Sequence, residues 1–534
     1  MHRPTTPHTT DRQHGGRGIV PVLAFSGIVV AVMQTLLVPV IKDLPELLDA
    51  APADATWVLT STLLAGAVAT PIMGRLGDLY GKRRMLVASL AVMVVGSLVA
   101  GLTSDLLVMI AGRALQGFAM GAIPLGIGLM RDGLPADRLG SAMALMSSSI
   151  GVGGGLALPV AALVAQHADW HALFFGAAGL GALAIALVLL FVPESPVRAG
   201  GGFDVPGALG LTAGLVLLLL PITKGSDWGW ASGTTLGLFA AAAVVLLLWG
   251  WMELRRRAPL VDLRTTARRE VLLTNLASVM IGVAFYAVSL VLPQLLQLPT
   301  ATGYGLGRSM VVAGLCVAPL GLTMMLTAPV YARVSARYGP KVTLITGMLV
   351  IAIGYGSGLA LMSSVWGTIV ISVVLGAGIG LAYSSLPALI IGAVDPSETG
   401  AANGLNTLMR SIGTSVSSAV VGMVIANTAD VVETGTGPVA VPTMEGFRIS
   451  FLIATGAVAV GLLFALLLPS RSGGGLRLRA SGGENPRGTE ADSEGAEGAK
   501  GTEDAKGTES GARGAEVPAA PPVGAVRHDG ASRP

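Results

Sequence analysis

The chain has 534 residues, of which 52% are hydrophobic and only 12% are charged, and its mean hydropathy is +0.72. Soluble domains carry roughly 25% charged residues, so this composition excludes a water-soluble globular protein of this length. The net charge of +3 gives no sign of a nucleic-acid partner, and the single cysteine, Cys316, excludes an intrachain disulfide and a cysteine-based metal site.

Apolar runs recur along the chain, and each is long enough to cross a hydrocarbon core, which takes about 20 helical residues. The run from Val342 to Val394 contains no Asp, Glu, Lys or Arg over 53 residues, which predicts two spans joined by a tight turn. The pattern predicts an all-α membrane protein. We predict fourteen spans, at roughly residues 18–41, 55–75, 85–104, 106–130, 139–166, 172–192, 205–223, 233–252, 271–298, 308–333, 341–362, 365–394, 400–428 and 448–469.

Basic residues concentrate in every second predicted loop. The opposite loops offer only Lys42, Lys224 and, at their edges, Arg308 and Arg448. By the positive-inside rule, this asymmetry predicts a multi-pass protein of the cell (inner) membrane with both termini in the cytoplasm. The loop around Asp395 is the exception, because it carries acid and no base.

Composition divides the chain into five predicted parts. The N-terminal stretch lacks the cleavage pattern of a signal peptide, and the C-terminal stretch repeats R-G-T-E and K-G-T-E in a composition that cannot build a core. The predicted parts are a cytoplasmic N-terminal segment (1–17), a six-helix bundle (18–197), two additional central helices (198–258), a second six-helix bundle (259–470) and a disordered cytoplasmic tail (471–534).

A segment rich in glycine and charge lies between the second and third spans, and it reads Gly74-Arg75-Leu76-Gly77-Asp78-Leu79-Tyr80-Gly81-Lys82-Arg83-Arg84. Its glycines permit a tight turn and a close helix approach. The carboxylate of Asp78, at a helix end among basic residues, can pair with them or cap another helix. The segment resembles the loop signature G-x-L-a-D-r-x-G-r-k of the major facilitator superfamily. The resemblance implies a latch, built from Gly74, Asp78, Gly81, Lys82 and Arg83, that holds the inward gate shut and releases during transport.

The fourth span contains an arginine, which is costly inside a membrane and marks a functional site by default. Arg113, Gln116 and Gly117 resemble the R-x-x-q-G motif of the same superfamily. In proton-coupled members this arginine is implicated in coupling, and the resemblance implies that role for Arg113. The open alternative is an arginine that only organises helix packing.

The fifth span holds Gly151, Gly155 and Pro159, which resemble a degraded form of the glycine- and proline-rich motif of antiporters in the superfamily. Small residues at this spacing also allow close helix packing in lipid. A packing role is therefore an equal alternative to an antiporter role for these residues. The motif favours export without proving it.

The two central spans are a second point of resemblance, this time to the fourteen-span drug:proton antiporters. The loop from Glu253 to Leu263 is also typical of that group. The resemblance implies the superfamily fold, two six-helix bundles, with two extra central helices. In the second half, a faded copy of the loop signature, from Arg333 to Lys341, keeps Gly339 and has Ala336 where the acid would be.

Proton coupling usually needs a carboxylate inside the membrane, and none lies well inside a predicted span. Gln34 stands in the first span, where many fourteen-span exporters carry an Asp. We interpret Asp132 and Glu253, near the inner helix ends, as solvated.

The cavity between the two bundles is expected to be largely apolar with a few polar groups. For each of those groups, interhelical hydrogen bonding is the alternative role. Such a pocket favours bulky amphipathic substrates over small ions or sugars. The substrate-binding candidates are Gln34, Tyr286, Gln294, Asn403, Asn406 and Arg410.

These features favour a secondary transporter that exports amphipathic drugs or antibiotics by alternating access, in exchange for protons, as a monomer in the lipid bilayer. An importer or facilitator of a small organic solute is an alternative, since one fold hosts several functions. A membrane receptor without transport is another. The sequence has no nucleotide-binding loop, metal-ligand cluster or nucleophile–base pair, so we expect no enzyme activity, no cofactor and no bound metal.

Overall fold

The spans are helical because backbone N–H and C=O groups find no water partners in a bilayer and must bond within their own segment. The computed structural model describes residues 16–37, 40, 43–434 and 437–469. Its helices are α1 (Gly16–Thr35), α2 (Leu44–Leu47), α3 (Pro52–Ala55), α4 (Trp57–Tyr80), α5 (Lys82–Gly101), α6 (Leu106–Gly117), α7 (Ala122–Gly133), α8 (Ala136–His167), α9 (Ala172–Phe191), α10 (Val205–Trp228), α11 (Gly233–Arg255), α12 (Leu263–Thr266), α13 (Arg269–Gln297), α14 (Met310–Leu326), α15 (Ala328–Leu361), α16 (Val365–Ala393), α17 (Thr399–Asn427) and α18 (Met444–Leu467).

The number of membrane spans depends on one glycine. Among the described residues, 13 helical ranges are long and apolar enough to cross a membrane, and one of them, Met310–Leu361, has 52 residues. Within that range Gly339 has a φ of 84° and a ψ of 163°, which interrupts α15. Such a positive φ favours glycine, which has no β-carbon to clash with the backbone.

The chain reverses direction at this glycine. α14 runs parallel to α16, whereas the part of α15 beyond Gly339 runs antiparallel to it, as shown by the contacting pairs Leu320–Gly376 and Met324–Gly380 before the glycine and Gly347–Gly378 and Gly354–Leu375 after it. The 52-residue range therefore holds two spans, and the prediction of fourteen spans agrees with the described helices.

Each half of the membrane region has its own apolar core. One core draws on buried residues between Ile19 and Val192, with Ile391 added from the other half. The other draws on buried residues between Leu273 and Leu468. By contacts the chain divides into Met1–Arg477 and Leu478–Pro534, and all described residues belong to the first unit. The predicted tail (471–534) and all but the last two residues of the predicted N-terminal segment (1–17) lie outside the described residues.

Two pairs of helices hold the halves together through glycines. α4 approaches α17 so closely that a β-carbon on Gly74 would clash with the carbonyl oxygen of Gly400. α8 approaches α14 in the same way, with Gly151 against Gly321, and Gly155 lies one turn further along this contact. Pro159, the third residue of the antiporter-like motif, is buried in α8. The small residues of that motif thus bring α8 of one half against α14 of the other.

The two additional helices, α10 and α11, differ in their surroundings. One face of α10 packs on α4 and α17, and its residues Leu211, Leu215 and Leu219 are buried there. α11 lies outside α10 and exposes large apolar side chains such as Leu247, which is 75% exposed. The indole N–H of Trp249 joins the two helices by donating to the carbonyl of Gly207 at 2.8 Å.

A short β-hairpin, absent from the predicted elements, connects α17 to α18. Its strands, β1 (Ala429–Thr434) and β2 (Gly437–Pro442), pair antiparallel. The hydroxyl of Tyr304 donates to the carbonyl of Pro442 at 2.6 Å, which ties the hairpin to the loop after α13. Val439 and Val441 alternate along β2, but Val431 and Val432 are adjacent in β1, so the sequence signal for a strand pair is weak beside long apolar helices.

The packing of α8 on α14 yields a stability prediction. Gly321→Leu should lower the unfolding temperature of the purified protein, because the new side chain must displace the backbone of Gly151, and overpacking of this kind costs about 1–3 kcal/mol. Gly356→Leu is the matched control, since no atom lies within 4 Å of a β-carbon at that position. Thermal unfolding in detergent measures both, and equal unfolding temperatures would contradict the contact.

Candidate functional site

The loop signature is almost entirely helical in the structure, which corrects the predicted end of the second span near residue 75. Gly74–Tyr80 form the last two turns of α4, and Lys82–Arg84 form the first turn of α5. Only Gly81 leaves the helical region, with a φ of 120°. Charged residues continue the helix here because their partners are provided by neighbouring helices.

Asp78 joins the two halves. Its carboxylate accepts hydrogen bonds from the backbone N–H groups of Gly400 at 3.0 Å and Ala401 at 2.8 Å, in the first turn of α17. The first N–H groups of a helix have no partner in the helix and carry a partial positive charge. Asp78 is fully buried, and Lys82 Nζ lies 3.5 Å from its carboxylate. The carboxylate therefore both caps another helix and pairs with a base, the two roles that the sequence left open.

A network of charged groups surrounds this contact. Lys82 Nζ donates to Asp132 at 2.7 Å, and Ser195 Oγ donates to the same carboxylate oxygen at 2.5 Å. The side chain of Asp132 is only 3% exposed, so the interpretation of Asp132 as solvated was wrong. We call Asp78, Lys82, Asp132 and the first turn of α17 the latch.

Arg131 makes a second link between the halves at the latch. Its guanidinium donates to the hydroxyl of Thr399, the first residue of α17, and to the carbonyl of Asp395 at 3.5 Å. Hydrogen bonds from the side chain and backbone of Ser397 lower the pKa of Asp395. The acidic loop that broke the positive-inside pattern thus carries a stable negative charge beside Arg131.

A third carboxylate, Glu194, holds the start of α5. It accepts from the backbone N–H groups of Arg83 at 3.0 Å and Arg84 at 3.2 Å. The guanidinium of Arg83 donates to the carbonyl of Leu189 at 2.6 Å. Sequence reasoning missed Glu194, Arg131 and Thr399, because their partners are distant in sequence. The signal available was an acidic or hydroxyl residue just outside a span, where a helix N-terminus needs an acceptor.

The intramembrane arginine forms a separate site inside the first half. Arg113 is 1% exposed, and its guanidinium donates to the carbonyls of Val58 at 3.3 Å and Met33 at 3.4 Å. It also donates to Gln116 Oε1 at 2.6 Å, and Gln116 in turn donates to Ser97 Oγ at 2.7 Å.

The geometry of this site depends on close helix contact and neutral acceptors. A β-carbon on Gly117 would lie 2.6 Å from the carbonyl oxygen of Thr62, so glycine brings α6 against α4. Within the described part of the chain, no carboxylate pairs with Arg113. Among the described residues, the hydrogen-bond acceptors of its guanidinium include carbonyl oxygens of Val58, Met33 and Gln116.

The polar candidates of the second half divide between two environments. Asn406 donates to Asn275 Oδ1 at 2.9 Å and to Ser278 Oγ at 2.7 Å, both on α13. Arg410, one turn on, lies over the ring of Tyr383 with 4.7 Å to its centre. Asn406 is thus engaged between helices, and Arg410 has an aromatic partner that sequence spacing could not reveal.

The remaining candidates have other positions. Asn403 is buried next to the latch, and its Oδ1 has no partner among the described residues. The hydroxyl of Tyr286 accepts from Ser418 at 3.2 Å. Gln34 follows Met33, which binds Arg113, and Gln294 lies half-buried on α13. Asn403, Asn406 and Arg410 therefore lie on α17, Tyr286 and Gln294 on α13, and Gln34 on α1.

A cavity of about 190 Å³ opens beside the latch rather than between the candidates for substrate binding. Its lining includes Arg75, Arg257, Asp262 and Glu398. Arg75 is buried, and its Nε has no partner among the described residues. Glu253, on the nearby end of α11, is 2% exposed, so its interpretation as solvated was also wrong.

The family assignment rests on comparison of the whole sequence. The sequence model described as "Major Facilitator Superfamily" matches residues 23–319 and 274–530, which together cover most of the chain. The chain belongs to the Major Facilitator Superfamily. Its members are transporters of small organic solutes rather than enzymes, and this chain is a multi-pass membrane transporter of that family.

Curated relatives are named for resistance, export or transport. The chain is 29% identical over 438 residues to the tetracenomycin C resistance and export protein of Streptomyces glaucescens, a match covering 79% of this chain and 78% of that protein. It is 24% identical over 380 residues to multidrug resistance protein 3 of Bacillus subtilis, covering 70% and 72%. It is 28% identical over 386 residues to the probable actinorhodin transporter of Streptomyces coelicolor, covering 68% and 65%.

Solved structures share the fold. The human organic anion transporter MFSD10 matches with a TM-score of 0.59 and 15% identity, over 85% of this chain and 100% of that one. The proton:xylose symporter XylE matches with a TM-score of 0.59 and 14% identity, over 86% and 97%. These likenesses extend to the helical architecture alone.

The contact of Asp78 with α17 yields a test of the latch. In a Cys316→Ser background, a cysteine replacing the buried Asn403 should react slowly with a bulky maleimide. Adding Asp78→Asn should raise that rate at least tenfold, because hydrogen bonds to a charged acceptor contribute about 1.5–3 kcal/mol.

Asp105→Asn is the matched control for this measurement. Asp105 also caps a helix, α6, but it does so within its own half by accepting from Val108 N–H at 3.0 Å. Reaction rates of the purified protein in detergent should be unchanged by Asp105→Asn. If Asp78→Asn also left the maleimide reaction rate at position 403 unchanged, the carboxylate would not hold the halves together.

Proposed function

We propose that this chain exports amphipathic drugs or antibiotics across the cell membrane by alternating access, in exchange for protons. The observation that carries the proposal is the latch, in which one carboxylate of the first half caps a helix of the second half. A contact of this kind can break and re-form without unfolding either core, because each half packs on its own.

The direction of transport is supported by the relatives. Of the three named above, one is named for resistance and export, one for multidrug resistance and one as a transporter, and they match this chain over about two thirds or more of its length. The glycines of the antiporter-like motif, which meet α14 of the other half, add a contact that has to slide when the halves move.

The substrate class follows from the polar groups at hand. The second half offers Arg410 over Tyr383, with Phe285 5.6 Å from the same tyrosine ring. An arginine beside aromatic rings suits a bulky compound with an aromatic body and a polar or acidic edge. We propose Gln34, Tyr286, Gln294, Asn403, Asn406 and Arg410 as the residues among which this compound binds.

The proposed orientation places the latch at the cytoplasmic face, as the basic residues at this end of the helices support. The structure would then represent a state in which the cytoplasmic side is closed. Both termini would be cytoplasmic, and a monomer would suffice, since both halves of the pathway belong to one chain.

Import of a small organic solute is the second candidate. Two observations favour it: a proton-coupled symporter shares the fold, and Gln34 stands in the first span where exporters of this kind carry an acid. Export and import differ in the side of the membrane from which substrate is taken.

Dye uptake into inverted vesicles tests the proposal. An amphipathic fluorescent dye should accumulate when the vesicle lumen is acid, and an uncoupler should abolish the accumulation. Asp78→Asn should reduce the initial rate at least tenfold because the latch no longer closes, whereas Asp105→Asn should transport normally. Accumulation only in right-side-out vesicles would favour import, and binding without flux would identify a receptor.

A further inference from the structure

The additional helices cover the seam at which the halves meet. α10 shares an apolar cluster with α4 and α17, whose buried members include Ala67, Leu211, Leu215, Leu405 and Leu408. The segment before α10 reaches the latch itself, because the N–H of Ala199 donates to the backbone carbonyl of Asp78 at 2.7 Å. The segment that leads into α10 is therefore hydrogen-bonded to the latch.

Two carboxylates meet at the latch end of these helices. Asp204 caps α10 and is 5% exposed, and Glu253 lies near the end of α11 and is 2% exposed. Each has one oxygen with partners. Asp204 Oδ1 accepts from Gly207 N–H at 2.9 Å and from Arg256 at 2.9 Å, and Glu253 Oε2 accepts from Leu260 N–H at 3.2 Å.

The other two oxygens are buried and face the same point. Asp204 Oδ2 and Glu253 Oε1 have no hydrogen-bond partner among the described residues. A β-carbon built on Gly207 would lie 2.5 Å from each of them, so they are at most about 5 Å apart. Buried polar atoms without partners are rare, and each one needs an explanation.

A single proton explains both atoms. Two buried carboxyl groups this close cannot both ionise readily, because like charges repel in a medium of low dielectric constant. If one is protonated and the two oxygens approach to about 2.7 Å, the usual O–H···O distance, its O–H donates to the other and both orphan oxygens gain a partner. Because Arg256 engages Asp204, Asp204 keeps the negative charge and Glu253 carries the proton.

The surrounding charges agree with one bound proton. Asp204 and Arg256 are the charged groups that act on Glu253. On the following loop, Arg264 donates to the carbonyl of Leu254 at 3.0 Å, and Arg257 lines the cavity beside the latch. Two ionised carboxylates with Arg256 would carry a net charge of −1, and one proton makes the group neutral.

We propose that Asp204 and Glu253 hold one proton between them and that loss of this proton opens the latch during the exchange of substrate for protons. On release, the O–H bond of Glu253 breaks, water takes the proton, and an unpaired carboxylate remains under α10. Its hydration loosens the contact between α10 and α11, and the segment from Ala199 to Asp204, which is hydrogen-bonded to Asp78, carries this change to the latch. The coupling role rests on the proposed function, whereas the bound proton does not.

Infrared spectroscopy tests the bound proton without transport. The difference spectrum of wild type minus Glu253→Gln at neutral pH should contain the C=O band of one protonated carboxyl group, shifted in D₂O. Asp227→Asn is the matched control, since this acid lies at the other end of α10, 3.2 Å from Lys224; its difference spectrum should lack the band.

A second variant keeps this test decisive if Glu253→Gln does not fold. Asp204→Asn retains a good helix cap and removes the repelling charge, so Glu253 should ionise. The variant itself should then lack the band, and the difference spectrum of wild type minus Asp204→Asn should contain it. Absence of the band from both difference spectra would overturn the proposal. A band that appears only after cations are removed would identify a cation in place of the proton, and would also overturn it.

Transport then tests the coupling role. In inverted vesicles, Glu253→Gln should reduce pH-driven dye accumulation at least tenfold while leaving exchange of preloaded dye intact. Undiminished accumulation in this variant, beside a pH-responsive wild type, would overturn the coupling role alone. A wild type that does not respond to the pH gradient would overturn the proposed function and the coupling role together, and would leave the infrared result standing.

Discussion

The contact between Asp78 and the first turn of α17 is the constraint on which the rest of the structure depends. Two backbone N–H groups at a helix start need an acceptor, and the carboxylate that supplies it belongs to the other half of the molecule. Gly74 and Gly400 allow the two backbones to come close enough for this bond. Lys82 then balances the buried charge, and Asp132 balances Lys82. Each charged group of the latch therefore supplies the partner that the preceding buried group needs.

The additional helices give this latch a cover that a simple pair of six-helix bundles lacks. α10 packs against α4 and α17, and the segment that precedes it is hydrogen-bonded to the latch at Ala199. α11 does little packing of its own, but it brings Glu253 against Asp204. The extra pair of helices therefore has a role beside the latch. It places a protonatable group beside the segment that is hydrogen-bonded to the latch.

Much of this architecture could be predicted from the sequence, because span length, loop charge and the Gly–Asp–Gly spacing are local signals. The helix reversal at Gly339 and the close approach at Gly74 follow from glycines that are visible in the sequence. What could not be predicted depends on partners far along the chain. Asp132 and Glu253 look like solvated helix ends until Lys82 and Asp204 are placed beside them, and the contact of Asn406 with Asn275 joins residues that are 131 positions apart. The hairpin of β1 and β2 was missed because its two strands stabilise each other and neither is conspicuous alone.

The central claim is that the two halves separate at the latch during transport, and the distance between Tyr80 and Pro396 measures this directly. Both residues are exposed, on opposite sides of the contact. Spin labels at these positions, in a Cys316→Ser background reconstituted in liposomes, should give two distance populations whose ratio changes with pH and with added substrate. Asp78→Asn should move the protein to the longer distance. A single distribution, unchanged by pH, substrate and Asp78→Asn, would contradict the account.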